Sequence, residues 1–213
     1  MHVRRVALGG SGAGVVLGSI TAANRLGVVP LSSVAASPRA VGDGKLWLLG
    51  TSALIADRPW LPSLLGLGIV GCAALAVLSV RAVVIVAAIG HVLSTLVVYA
   101  VIGGARLIEP SAFASVVNLA DFGFSAIIAA WIGALARVAW QRRQTRGARL
   151  LVAAGCLASA GVGLAFRPDV TFLDSEHVVA FAIGAALADP KLRSRLVLPA
   201  RRLAEVMATA LSP

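Results

Sequence analysis

Charged residues and cysteines are scarce in this sequence, and their scarcity excludes several classes of protein. Only 13% of the 213 residues are charged while 59% are hydrophobic, and the mean hydropathy is +0.92, far above that of soluble globular domains. The two cysteines, Cys72 and Cys156, both lie within apolar segments, where free thiols behave as small hydrophobes. Their spacing fits neither a disulfide framework nor a metal site. We therefore predict an integral membrane protein with no metal or organic cofactor.

Lysine is also nearly absent, with only Lys45 and Lys191, whereas alanine, valine, glycine and arginine abound. This bias is typical of a GC-rich bacterial genome and indicates the cytoplasmic (inner) membrane of a bacterium. The net charge of +10 does not indicate a nucleic-acid partner, because the arginines cluster in short segments between apolar runs. Positive charge in such segments sets the orientation of a protein in the lipid bilayer.

Apolar runs of about 17 to 23 residues recur along the chain, and a helix needs about 20 residues to cross a bilayer. We predict an all-α, polytopic membrane protein in which six transmembrane helices form one domain over residues 1–190. A basic cytoplasmic tail follows over residues 191–213. The predicted spans are residues 6–23, 61–80, 82–104, 119–140, 150–166 and 177–188.

Basic and acidic segments alternate along the chain and predict its orientation. Arg4 and Arg5 precede the first apolar run, residues 141–149 are the most basic segment, and residues 167–176 are net acidic. Because positively charged segments stay inside, we place both termini in the cytoplasm. A cleaved signal peptide is the alternative for the first run. We favour an uncleaved helix, since the run is near full spanning length and further spans follow.

Two segments are predicted to lie outside the membrane, residues 26–59 and residues 106–119. The first contains proline and glycine breakers and an apolar patch, residues 46–55, which is too short and too interrupted to span. Trp47 and Trp60 suit the membrane interface. We therefore expect a long outer loop lying partly in the headgroup layer.

Few polar residues fall within the predicted spans, and each is a candidate for function because a polar group inside a bilayer is costly. Ser125 lies about four to six residues into the fourth span and His177 at the outer start of the sixth, so both face the same leaflet. A histidine beside a serine hydroxyl can take its proton and make it a nucleophile. In the alternative interpretation, Ser125 bonds back to the carbonyl of Asp121 and His177 is solvated. The other candidates are His91 and Thr95, with Asp121 and Glu176 at the outer margin.

Small residues recur near both members of this pair at intervals of about one or two helical turns. Such residues let two membrane helices approach closely, so they favour an arrangement that brings Ser125 and His177 together. They are Gly123 and Gly133 around the fourth span and Ala180, Gly184 and Ala188 in the sixth.

The sequence from Gly123 to Ala126 resembles the GxSG motif of the rhomboid family of intramembrane serine proteases, with Ala126 in place of the second glycine. His177, Ala180 and Gly184 match the histidine and small residues of the sixth rhomboid helix. The outer patch is similar to the family's W-R-x-x-T-x-x-L segment at Trp47, Thr51 and Leu54, with Leu48 replacing arginine. The resemblance covers residues 45–188. It is closer still to rhomboid-like membrane proteins of actinobacteria, in a D-x-G-x-S run over residues 121–125 and a G-H-V run over residues 90–92.

The resemblance implies a rhomboid-like bundle that cleaves transmembrane protein substrates near the outer face, as a monomer or weak homo-oligomer. Ser125 would be the nucleophile and His177 the general base. Rhomboid proteases usually carry histidine and asparagine oxyanion donors early in the second core helix, where this chain has Leu-Pro-Ser-Leu-Leu over residues 61–65. The aromatic residue often found four after the serine is Ala129. An inactive rhomboid-like pseudoprotease that binds other membrane proteins is therefore the alternative.

Three residues are candidates for supporting the oxyanion or the dyad, namely Gly123, His91 and Asp121. The backbone N–H of Ser125 supplies one oxyanion donor, and His91 is the obvious substitute for the missing side chains. For His91 we favour a structural role, bonded to Thr95 or to a buried water. Asp121 and Glu176 could orient the site, but each is also a plausible partner of a helix N-terminal dipole.

Overall fold

The computed structural model describes residues 21, 23–24, 26–56, 60–141 and 171–189, and this part of the chain is mostly helical. The α-helices are α1 (Pro38–Gly42), α2 (Leu48–Thr51), α3 (Trp60–Val77), α4 (Val80–Ile108), α5 (Ser125–Gln141) and α6 (Thr171–Leu187). Short 3₁₀ helices lie at Leu31–Ser33, Ser52–Leu54 and Val116–Asn118. The described ranges contain no β-strand, only an isolated antiparallel bridge between Ala36 and Asp121. The all-α prediction is confirmed for these residues.

Several predicted elements lie outside the described residues. They are most of the first span (residues 6–23), the fifth span (residues 150–166) with Cys156, nearly all of the basic segment 141–149, and the tail 191–213. Predictions for these segments stay predictions.

Helix α4 is long and apolar enough, by length and composition, to cross a membrane. The Ser79 hydroxyl caps its start by accepting a hydrogen bond from the Ala82 N–H. The helix begins two residues before the predicted span and runs past Gly103 and Gly104, where we had placed its end. Each of the two glycines destabilises a helix by only about 1 kcal/mol, so α4 continues through them into the residues that follow. Among the described residues, α3, α5 and α6 are shorter apolar helices.

Helices α5 and α6 pack backbone to backbone through small residues. A Cβ atom at Gly133 would overlap the carbonyl oxygen of Phe181, and one at Gly184 would overlap that of Ala130. Buried alanines fill the surrounding core, namely Ala126, Ala129, Ala130, Ala134 and Ala180. The predicted small faces of the two helices therefore meet.

One side of the apolar patch at residues 46–55 packs into the protein, while Leu46 and Trp47 remain exposed, and its predicted place in the headgroup layer stays a prediction. Leu48 is 1% exposed and belongs to a buried cluster with Val98 and Ile102 of α4. The Thr51 hydroxyl ties the patch to the preceding segment by donating to the Val34 carbonyl at 2.9 Å. Two short helical turns accompany this packing, in which Leu48 lies against α4 and Trp47 stays on the surface.

Candidate active site

The turn that leads into Ser125 is held by the first outer segment. Asp121 and Ala36 exchange backbone hydrogen bonds of 2.8 and 2.9 Å, and the Gly123 N–H donates to the Ser52 carbonyl at 2.9 Å. Gly123 has a φ angle of +120°, a conformation that favours glycine. We had predicted a helix from residue 119, but these bonds keep residues 121–123 out of a helix and α5 begins at Ser125 itself.

Ser125 and His177 come together at the starts of α5 and α6. The distance from His177 Nε2 to Ser125 Oγ is 2.7 Å, with Ser125 exposed and His177 half-buried. Helix α6 starts at Thr171, earlier than predicted, so His177 lies in its second turn. The Asp121 carbonyl, which the alternative interpretation gave to Ser125, instead accepts the Ala36 N–H. With its proton on Nδ1, His177 is placed to accept the Ser125 hydroxyl proton.

The N-terminus of α5 offers backbone donors beside the hydroxyl. The Ile128 N–H donates an α-helical hydrogen bond to the Phe124 carbonyl at 3.1 Å, so the N–H groups of Ser125, Ala126 and Ile127 precede this first N–H donor of the helical ladder. Such groups, with the positive end of the helix dipole, stabilise developing negative charge. The sequence analysis found only the Ser125 donor, because it placed the helix start six residues too early.

His91 lies away from the dyad, buried in α4. Its Nε2 atom is 3.4 Å from the Ser52 hydroxyl, and its Nδ1 atom, which has no hydrogen-bond partner, is 3.6 Å from Glu176 Oε1. The Thr95 hydroxyl oxygen lies 2.8 Å from the His91 backbone carbonyl and is not bonded to the ring. A role for His91 at the oxyanion does not follow from this geometry.

Glu176 and Asp121 belong to a buried polar cluster rather than to helix termini. Glu176 Oε1 accepts hydrogen bonds from the hydroxyls of Ser94 and Thr95, at 3.1 and 2.6 Å, and Glu176 is 4% exposed. The Tyr99 hydroxyl donates to Asp121 Oδ2 at 2.8 Å. Our interpretation of Glu176 as a helix-dipole partner was wrong, because α6 begins five residues before it. Burial raises the pKa of the Asp121 carboxyl, and its hydrogen bond to Tyr99 offsets only part of that rise.

The sequence analysis missed Ser52, Ser94 and Tyr99, although a signal for Tyr99 was present. His91, Thr95 and Tyr99 recur every four residues, so they share one face of α4. A polar stripe on an otherwise apolar helix indicates a buried partner. The partner, Glu176, is distant in sequence and was not identifiable from spacing.

A cavity of about 690 Å³ lies between the two outer segments. Its lining includes Arg39 and Asp43 from the first segment, Arg106 and Val117 from the second, and Tyr99 of α4. The two segments predicted to lie outside the membrane therefore meet around the end of α4.

The described residues provide a nucleophile, a base, backbone donors and a neighbouring buried acid, which together suit acyl transfer. No group of three or more histidine, cysteine, aspartate or glutamate side chains suited to hold a metal occurs among them. No protein-family model, curated protein or solved structure matches the chain.

Proposed function

We propose that this protein is a rhomboid-type intramembrane serine endopeptidase that cleaves transmembrane proteins near the outer face through Ser125 and His177. The 2.7 Å distance between His177 Nε2 and Ser125 Oγ carries this proposal. The pair lies where two helices pack backbone to backbone, so its geometry depends on rigid elements and not on loops.

In the proposed reaction, Ser125 Oγ attacks the carbonyl carbon of a peptide bond while its proton passes to His177 Nε2. The N–H groups at the start of α5 stabilise the resulting oxyanion. Collapse breaks the C–N bond, His177 gives the proton to the leaving amine, and an acyl-enzyme remains. A water from the outer side then attacks the ester as His177 takes its proton. The bond between the acyl carbon and Ser125 Oγ breaks, His177 returns the proton to Oγ, and the carboxylic acid product leaves. This cycle requires no metal or organic cofactor.

The proposed setting is a bacterial inner membrane, crossed by six helices with both termini in the cytoplasm. The outward face of α4 supports a lipid contact, because large exposed apolar side chains follow its length. They include Val84 (60% exposed), Ile89, Leu93, Val97 and Val101 (55% exposed).

A serine-reactive fluorophosphonate probe tests the proposed dyad. The purified full chain should be labelled, and Ser125→Ala and His177→Ala should abolish labelling, whereas Ser115→Ala, at an exposed serine outside the site, should not. Labelling that survives Ser125→Ala, or an unlabelled wild type, would contradict the proposal.

A pseudoprotease is the second candidate, favoured by the side chains around the nucleophile. His91, the substitute oxyanion donor, is engaged with Ser52, and Leu64 and Leu65 stand in α3 where rhomboid proteases carry polar donors. The loss of one oxyanion donor typically costs about a hundredfold or more in rate. This candidate predicts that crosslinking captures the same membrane-protein partners, uncleaved, with the wild type and with Ser125→Ala.

A further inference from the structure

Glu176 immediately precedes His177 in α6, but the two side chains face different helices. Adjacent residues on a helix point about 100° apart. Glu176 is turned toward α4, where its Oε1 atom accepts hydrogen bonds from Ser94 and Thr95, and His177 is turned toward the start of α5. A rotation of α6 about its axis that separates Glu176 from Ser94 and Thr95 therefore also moves His177 away from Ser125.

The packing of α6 against α5 fixes the distance between the helices and requires their glycine faces to meet, but it makes no directional bond that would set the finer rotation of α6. The contact at Gly133 and Gly184 is between smooth backbone surfaces, surrounded by alanines. Such surfaces lack the large interlocking side chains that define register. Directional bonds to a buried polar residue can supply that specificity, and α6 makes such bonds through Glu176.

The same face of α4 also holds the segment before Ser125. Tyr99 lies one turn beyond Thr95, and its hydroxyl bonds the Asp121 carboxyl four residues before the nucleophile. Residues on one side of α4 thus bond the segment before Ser125 and the residue before His177.

We propose that Glu176 is a positioning residue, whose hydrogen bonds from Ser94 and Thr95 set the rotation of α6 so that His177 meets Ser125. This inference rests on the proposed function, and it assigns Glu176 no contact with substrate. A shift of about 1 Å at a reacting pair can lower the rate about a hundredfold. A modest rotation of α6 is therefore sufficient to lower the reactivity of Ser125 strongly.

The proposal requires the acceptor oxygen and not the negative charge. Glutamine keeps the oxygen that Ser94 and Thr95 need and has nearly the same shape. Leucine has a similar volume but no acceptor, and it leaves both hydroxyls without this partner.

The test is the rate of fluorophosphonate labelling of the full chain in Glu176→Gln, Glu176→Leu and the matched control Val178→Ala. Val178 lies in the same turn and is 61% exposed. We expect labelling to fall about tenfold or more in Glu176→Leu, by no more than about threefold in Glu176→Gln, and to stay unchanged in Val178→Ala. Normal labelling of Glu176→Leu, or equal losses in the glutamine and leucine variants, would overturn the proposal.

A second variant approaches the contact from α4. Thr95→Val removes one donor hydroxyl at nearly constant shape and should slow labelling in the same direction. Combined with Glu176→Leu it should add little, because both changes break one contact. Full additivity of the two losses would overturn the proposal.

A catalysis-independent measurement separates this inference from the proposed function. Cysteines introduced as Ser125→Cys and His177→Cys, in a Cys72→Ser/Cys156→Ser background, are bridged with a short bis-methanethiosulfonate. Bridging should be efficient with Glu176 or Glu176→Gln and poor with Glu176→Leu. If the wild type is unlabelled but bridging follows this order, the protease proposal fails and the positioning role stands. Efficient bridging in Glu176→Leu would overturn the positioning role itself.

Discussion

Two serine–histidine pairs lie within the part of the chain that the structure describes, and they differ in their access to solvent. Ser125 and His177 are 2.7 Å apart, and the serine is exposed. Ser52 and His91 are 3.4 Å apart, with an acid, Glu176, 3.6 Å from the other ring nitrogen. The second set has the composition of a catalytic triad but is sealed, with Ser52 2% and His91 6% exposed. Access and the direction of the bonds, more than residue types, distinguish a reactive site from a structural one.

The largest expected effect separates the two serines. Ser125→Ala should lower the fluorophosphonate labelling rate about a thousandfold or more, since it removes the nucleophile. Ser52→Ala should leave labelling within about tenfold of the wild type, because the probe cannot reach that position. Reversed effects would show that the buried set is the reactive one.

The helix contact beneath the dyad gives the next effect. Gly184→Ala forces a Cβ atom into the Ala130 backbone and should lower the free energy of unfolding by about 1–3 kcal/mol, with slower labelling. The matched control is Gly68→Ala in α3, where no atom lies within 4 Å of the new methyl group and stability should hold or rise. Denaturation of both variants in detergent checks this. Equal stability of the two would contradict the close packing.

A substitution in the buried polar cluster should affect the stability of the protein more than its labelling rate. Tyr99→Phe removes the hydrogen bond to Asp121 and should cost about 1–2 kcal/mol of unfolding free energy, because a buried acceptor loses its donor. The labelling rate should fall only a few-fold, since Tyr99 touches neither Ser125 nor His177. A loss of labelling as large as that of His177→Ala, with stability unchanged, would place Tyr99 in the reaction itself.

The smallest effect is expected at the opposite end of α5. Arg137 and Asp189 form an ion pair with side chains 36% and 22% exposed. Partly exposed pairs contribute about 0–1 kcal/mol, so Arg137→Gln should change thermal stability little and labelling not at all. A loss comparable to Gly184→Ala would show that this pair, and not the glycine contact, holds α5 to α6.

The sequence was sufficient to pair Ser125 with His177, because charge alternation gave both the same outer end and small residues indicated a close helix contact. It was not sufficient to find the start of α5. That start depends on backbone bonds from Ala36 and Ser52, which are distant in sequence and leave no local signal.

The cluster around Glu176 was only partly predictable for a related reason. The polar stripe on α4 was visible in the spacing of His91, Thr95 and Tyr99. The glutamate was assigned to a helix terminus because the preceding acidic segment looked like a loop, whereas residues 171–174 of that segment form the first turn of α6. A boundary error of a few residues therefore made a buried hydrogen-bond acceptor look like a partner of the helix N-terminal dipole.

Cleavage of a transmembrane reporter in proteoliposomes tests the central claim most directly. The purified full chain should cut a single-span reporter once, near the end of the span that faces the same side as Ser125, and mass spectrometry of the fragments locates the bond. Ser125→Ala should give no fragments, and Val178→Ala should give the wild-type pattern. Fragments that persist in Ser125→Ala, or a reporter that is bound but never cut by the wild type, would contradict the account.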